Sequence, residues 1–321
     1  MNLEQLRGFV EVARIGHFTR AAEQLHLAQP SLSRQISTLE SELGAELFHR
    51  ARGNISLTDA GERLLPLARR MLADAETALS EMAELNGLRR GRVRLGSTPT
   101  LSTSLVTDVL AEFRLRHPGI DIEILERGSR SLIAALVEGT LDLALIVTSV
   151  ASGAARAVLE FEPILGERLV VVSSAEQPNP FHGDEKVELR RLAAVPQIVF
   201  PENYDLRVAV DAAFATAGLT PTVAVQGAEM DAALSFVERG IGVAVVPAMV
   251  AVDRPLLRTA PLANDTLART VSIARRSDMA PTRAGAALRD LIREVADRRA
   301  ETDAEGAPLV TRVDPVIRSD G

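Results

Sequence analysis

Along the first part of the chain, apolar residues recur three and four positions apart. Leu3, Leu6, Phe9, Val10 and Ala13 mark one face of a first helix, with Gly16 as its stop. Thr19 is placed to cap a second, short helix that carries Ala21, Ala22 and Leu25. A third helix opens with Pro30 in its first turn, where a missing N–H costs nothing, and stops at Gly44. Leu32, Ile36 and Leu39 share its inner face, which leaves Ser31, Ser33, Arg34 and Ser37 to project outward. Two short helices with a tight connection, the second polar on its outer face, form a helix-turn-helix. Leu47–Thr58 then reads as two short strands around Gly53-Asn54, a wing.

Thr58 caps a long helix with Asp59 and Glu62 in its first turn. Leu64, Ala68, Met71, Ala75, Leu79 and Met82 repeat in steps of three and four, a seam suited to pairing with another helix. Charged residues cover the other faces, so a second subunit is the expected partner; the plainer alternative is a core helix of one domain. Pro66 should bend this helix, and Asn86-Gly87 and Gly91 should end it.

From Arg92 onward, strands and helices alternate. Strands are expected at Val93–Ser97, Ile120–Leu125, Leu141–Val147, Arg168–Ser173, Gln197–Phe200, Thr222–Gln226, Ile241–Val246 and Thr270–Ala274. Helices are expected at Leu101–Arg116, Ser129–Glu138, Asp205–Ala217, Glu229–Arg239 and Pro281–Arg299. That order implies an α/β fold with parallel sheets flanked by helices, in two lobes. The expected division is a module of residues 1–58, a linker helix over 59–90 and a two-lobed domain over 91–299. Lobe one covers about 91–160 and 268–299, lobe two about 161–267. The polar stretch 300–321, with Pro308 and Pro315, is expected to be disordered.

Composition removes several function classes. The 321 residues carry a formal charge of −7, so any nucleic-acid binding must rest on locally placed groups. Residues 1–58 hold six arginines and six glutamates, a neutral module. With no cysteine, thiol catalysis, disulfides and cysteine-based redox sensing are closed. Lys186 is the only lysine and sits among acids, which suits neither a phosphate-binding loop nor a desolvated Schiff-base lysine. Gly240-Ile-Gly242 lacks the third glycine of a dinucleotide fingerprint, and the five histidines show no ligand spacing. No catalytic residue, metal site or cofactor is implied. The longest apolar run, Ile241–Val252, falls short of the roughly 20 residues of a membrane span. The amino-terminal stretch is broken by Glu4, Arg7, Glu11 and Arg14 and does not read as a secretory signal, so a cytoplasmic location is expected.

The residues then carry a resemblance. The run Leu3-Glu-Gln-Leu-Arg-Gly-Phe-Val-Glu-Val-Ala13, Gly16-His-Phe-Thr-Arg-Ala-Ala22, Gln29-Pro-Ser-Leu-Ser-Arg-Gln-Ile-Ser-Thr-Leu-Glu40, Leu47-Phe-His-Arg50 and Leu57-Thr-Asp-Ala-Gly61 resembles the LysR-type transcriptional regulators. Gly139-Thr-Leu-Asp-Leu-Ala144, Ala217-Gly-Leu-Thr-Pro221 and Gly240-Ile-Gly-Val-Ala-Val-Val-Pro247 extend it over nearly the whole chain. One departure is Ala28, where relatives place a capping Ser or Thr. The resemblance implies an N-terminal winged helix-turn-helix, a dimerising linker helix, and an effector domain like a periplasmic binding protein. It also implies a tetramer bound at inverted-repeat promoter sites, a small-molecule coinducer, and RNA polymerase as a partner where the outcome is activation. Relatives that sense peroxide use cysteines, a mode this chain lacks.

Candidate residues follow. On the DNA side these are Gln29, Pro30, Ser31, Ser33 and Arg34 of the recognition helix, with Thr19 and Arg20 before it. Gln pairs bidentately with adenine and Arg with guanine. Arg50 and Arg52 of the wing suit phosphate or minor-groove contacts. In a two-lobed α/β domain, ligands bind at the carboxyl ends of strands between the lobes. That points to Ser97, Thr98, Thr100 and Ser102, to Gly128, Ser129 and Thr148, and to Phe200 and Pro201 of the facing lobe. Hydroxyls and free N–H groups at a helix start favour a ligand with a carboxylate or similar acceptor, an organic acid for example; the bland alternative is that they only cap the helix. Two other classes compete: a solute-binding protein of a transport system with the same two-lobed fold, and an enzyme whose site assembles only in space.

Overall fold

Asn2 starts the fold with a capping box: its side chain accepts from Gln5 N at 2.9 Å, and the Gln5 side chain accepts from Asn2 N at 2.8 Å. The computed structural model describes residues 1–51, 54–85, 91–147, 157–202, 204–252, 254–263, 267–302 and 309–313. These divide into two units, Met1–Leu88 with Val137–Leu141, and Arg89–Leu136 with Asp142–Gly321.

In the first unit, α1 (Leu3–Ile15) ends at Gly16 in the left-handed region, φ 71°. Helix α2 spans Phe18–Gln24. Its N-cap is His17 rather than Thr19, because Ala21 N already bonds His17 O at 3.0 Å. The turn to α3 (Gln29–Leu43) places His26 at φ 55° and closes with Leu27 N donating to Ala22 O at 2.8 Å. Gly44, φ 65°, stops α3 as expected. Strands β1 (Phe48–Ala51) and β2 (Asn54–Leu57) pair antiparallel with Ala51 opposite Asn54. Asn54, expected in the turn of the wing, is the first residue of β2, and Arg52 and Gly53 lie outside the described residues.

The core of this unit is Phe9, Leu32, Ile36, Leu39 and Phe48, all buried. Phe48 receives the Phe9 ring at 5.4 Å and the Phe18 ring edge-on at 5.8 Å, geometries aromatic pairs prefer. Helix α4 runs Asp59–Leu85, and Gly61 N donates to the capping Thr58 Oγ1 at 3.1 Å. Gly61 also lets α4 start against the wing: a Cβ there would lie 2.2 Å from Leu47 O. The apolar seam of α4 is split. Leu64, Leu65, Ala68 and Leu72 pack into the core, whereas Met71 and Leu79 stay 38% and 67% exposed. The expected stop at Asn86-Gly87 lies outside the described residues, and Gly91 opens a strand instead.

The second unit is built on mixed sheets rather than the parallel ones expected. Strands β3 (Gly91–Ser97), β4 (Ile120–Glu126) and β5 (Leu143–Val147) are parallel neighbours in the order β4-β3-β5. Strand β6 covers Leu159–Ser174, far longer than Arg168–Ser173. Glu160, Glu162, Pro163 and Gly166 interrupt its first half and hide it from an apolar pattern. Between Val170 and Ser174 it pairs with β10 (Leu257–Pro261), a strand the sequence pattern missed; earlier it pairs with β11 (Ala268–Arg276). On its other edge Leu169–Val172 pairs with β9 (Ala244–Pro247). All three pairings are antiparallel. The lobes thus meet near Arg168 and Leu169, and the stretch expected to open lobe two belongs largely to lobe one. Strands β7 (Gln197–Val199) and β8 (Val223–Gln226) are parallel in lobe two.

Helices flank both sheets. In lobe one these are α5 (Pro99–Leu101), a π-turn over Ser102–Val106, α6 (Thr107–Arg116) and α7 (Ser129–Val137). Lobe two adds α8 (Leu189–Ala193), α9 (Asp205–Thr216), α10 (Met230–Glu238) and α11 (Ala248–Ala251). Helix α12 spans Arg283–Thr302. Part of the tail expected to be disordered is ordered: β12 (Val310–Arg312) pairs with β6, Val310 opposite Glu167. Residues 303–308 and 314–321 lie outside the described ones. One core, including Leu95, Phe113, Leu145, Val170, Val246 and Leu288, runs through this unit.

Candidate DNA-binding face and ligand cleft

Helix α3 buries Leu32, Ile36 and Leu39 completely and turns Gln29, Pro30, Ser31 and Arg34 to solvent, with Ser33 half-buried. Thr19 and Arg20 are exposed on α2. The neutral charge of this module conceals an uneven distribution. Arg7 and Arg14 are engaged by Glu4 and Glu11 one turn away, at 2.7 and 2.5 Å. Glu40 Oε1 accepts from Leu47 N at 2.9 Å, and Glu42 pairs with the Met1 amino group. Among the described residues, Arg20 and Arg34 have no carboxylate partner and keep their donors for something else. Arg50 lies on β1 opposite Ile55, but its side chain, like the whole of Arg52, is outside the described residues.

In the second unit, strand ends and helix starts converge on two contiguous cavities of about 310 and 830 Å³, a size that suits a small ligand. Thr98, Thr100 and Gly128 line the smaller one, as the strand-end argument expects. Thr98 Oγ1 lies 3.3 Å from Thr100 Oγ1, and both residues are buried. The other expected residues are placed differently. Ser97 is fully buried and donates to Thr98 O at 3.2 Å. Ser129 accepts from Val147 N at 3.1 Å, which ties α7 to the end of β5. Phe200 is buried with its ring stacked on Tyr204, and its carbonyl accepts from Arg207 Nη1 at 3.0 Å. Pro201 O accepts from Tyr204 N at 3.0 Å. Ser97, Ser102, Ser129, Phe200 and Pro201 do not line the cavities, and Thr148 lies outside the described residues.

The groups that sequence reasoning missed are Arg127, Tyr204, Asp205, Glu229 and above all Arg269. Arg269 Nη1 donates to Thr100 Oγ1 at 2.7 Å and Nε to Glu167 Oε2 at 2.8 Å. Its Nη2 lies 2.8 Å from the same carboxylate oxygen, close enough to ion-pair, but it is misaligned and makes no hydrogen bond. Burial, and then the Glu229 and Glu126 carboxylates, push the Tyr204 hydroxyl far above its ordinary range, so it stays a donor and bonds Glu229. No single signal in the sequence marks Arg269, because it is brought to Thr100 by a strand 169 residues away.

Comparison with known proteins follows the same two-unit division. Residues 3–62 match the bacterial regulatory helix-turn-helix protein, lysR family, and residues 86–297 match the LysR substrate binding domain. An HTH-type transcriptional regulator of Bacillus subtilis, YybE, is 32% identical over 254 residues, 79% of this chain and 85% of its own. Full-length OxyR from Pseudomonas aeruginosa superimposes with a TM-score of 0.68 at 25% identity, covering 92% of this chain and 94% of its own. Full-length CbnR in complex with its target DNA gives 0.65 at 25% identity, covering 93% and 99%. Among the described residues, no helix is long and apolar enough to cross a membrane.

Proposed function

Because the chain belongs to the LysR family of transcriptional regulators, a family of DNA-binding proteins rather than enzymes or transport receptors, we propose how its parts divide the task. Helix α3 enters the major groove, where Gln29, Ser31, Ser33 and Arg34 meet base edges and Pro30 sets the start of the helix. Thr19 and Arg20 of α2, with Arg50 and Arg52 of the wing, hold phosphates or the minor groove and fix the register. The observation that carries this reading is that the acids of the neutral module engage Arg7 and Arg14 and leave Arg20 and Arg34 unpaired on its exposed face.

The exposed part of the α4 seam, Met71 and Leu79, pairs with a second copy, so that two α3 helices address the two halves of an inverted repeat. Dimers then join into tetramers. A small organic acid enters the cleft at Thr98, Thr100 and Arg269 and shifts the balance between DNA-bound states; where the outcome is activation, RNA polymerase is the further partner. Nuclease footprinting of the protein on its own upstream DNA tests the reading. Protection of two symmetric half-sites supports it, and uniform, sequence-independent protection rejects it.

A further inference from the structure

The lining of the smaller cavity is chemically two-sided. Thr98, Thr100 and Arg269 offer hydroxyls and a guanidinium, while Glu126, Glu229 and Asp205 bring three carboxylates to the same space, Asp205 already accepting from Ser129 N at 3.3 Å; Arg127 adds a second guanidinium at the acidic side. Arg269 is nine-tenths buried, and its Nη2 makes no hydrogen bond. A buried charged donor in that state is costly unless an acceptor arrives. The carboxylates of Glu126 and Glu229 are solvent-exposed and supply the opposite charge at the cavity's other side. Tyr204 donates its hydroxyl to Glu229, but neither Glu229 nor Glu126 has a cationic partner among the described residues. Arg127, next in the chain, donates to the Glu126 carbonyl rather than its carboxylate.

Register brings the two sets within one small molecule's reach. Ser97 pairs directly with Glu126 across β3 and β4, strands that lie roughly 4.8 Å apart. Thr98 therefore leaves its strand beside the acidic group.

We infer that the cleft takes a zwitterion of the amino-acid class, with its carboxylate on Thr98, Thr100 and Arg269 and its ammonium on Glu126 and Glu229. This rests on the cleft being the effector site proposed above. A dicarboxylate would bring like charge toward the Glu126 and Glu229 carboxylates, and a neutral polyol would offer the spare Arg269 Nη2 only an uncharged acceptor.

The test uses the full chain and the standard L-amino acids, each beside its deaminated carboxylate and its decarboxylated amine, screened by thermal shift and measured by titration calorimetry. At least one amino acid binds, and removal of its ammonium weakens binding by about tenfold or more. In a Glu126→Gln/Glu229→Gln variant, whose unchanged melting shows that it is folded, that difference collapses while the deaminated acid is held as before. If a deaminated acid binds as tightly as its parent, or only deaminated acids bind, the zwitterion is overturned. The cleft reading then survives provided Thr100→Val weakens the acid. If no compound of the panel binds, or Thr100→Val changes nothing for those that do, the cleft reading falls as well.

Discussion

Glu167 and Arg269 face each other directly across β6 and β11 at the junction of the lobes, with Arg269 Nε donating to Glu167 Oε2 at 2.8 Å. The Glu167 side chain is fully buried and that of Arg269 nearly so. Each also reaches outward: Arg269 to Thr100 of lobe one, and Glu167 to Met249 N of lobe two at 2.7 Å. A ligand that bonds Thr100 or Arg269 therefore acts on a hydrogen-bonded chain that spans both lobes.

Replacing one member of this pair isolates the other's charge. Arg269→Met leaves the buried Glu167 carboxylate without its cation, which typically costs about 3–5 kcal/mol. Urea unfolding followed by circular dichroism should show that loss in the transition of the effector unit, and Glu167→Gln in the same chain should recover part of it. A loss below about 1 kcal/mol would mean the pair is solvated and the junction looser than described.

Gly61 should resist any side chain. A Cβ at this position would meet the Leu47 carbonyl at 2.2 Å, a backbone atom that cannot swing aside. Gly61→Ala is expected to destabilise the winged module by about 1–3 kcal/mol, the range of overpacked sites. It should also weaken DNA binding, since α4 and the wing must part. Unchanged melting and unchanged binding would contradict the contact.

The start of the recognition helix can be improved. Ala28 is its N-cap and offers no side-chain acceptor. Pro30 has no N–H, so Ser31 N is the amide a capping hydroxyl would take. Ala28→Ser should add about 1 kcal/mol and slow amide exchange in the first turn of α3. No change in either would show that the backbone bond from Ser31 N to Ala28 O already satisfies this end.

In the reading proposed above, base recognition rests most on Arg34. Arg34→Ala should weaken operator binding by at least about 1 kcal/mol and relax base preference at one position of each half-site. Competition titrations with single-base operator variants measure both, and an unchanged preference would move recognition to other residues.

The sequence pattern makes some parts of this architecture legible and hides others, for physical reasons. Leu32, Ile36 and Leu39 repeat on a single helix, and Gly16 and Gly44 end helices in the left-handed conformation glycine favours, so α1 and α3 of the winged module are legible in the sequence. Thr98, Thr100 and Gly128 follow from strand ends alone. Thr19 misleads because a capping residue type two positions late is indistinguishable in sequence from a cap. The first half of β6 is concealed by its acids and Pro163, which face a partner strand rather than a period. Arg269, Tyr204 and Glu229 reach the cleft through tertiary return of distant strands and helices, information that no local spacing contains.

The most direct measurement is a mobility-shift titration of the purified chain on its own upstream DNA, with unrelated DNA of equal length as competitor and the mass of the complex read by light scattering. The account predicts a salt-dependent complex that survives the competitor and holds at least two copies of the chain per site, one α3 for each half-repeat. A single copy, displaced equally well by unrelated DNA at low salt, would contradict it.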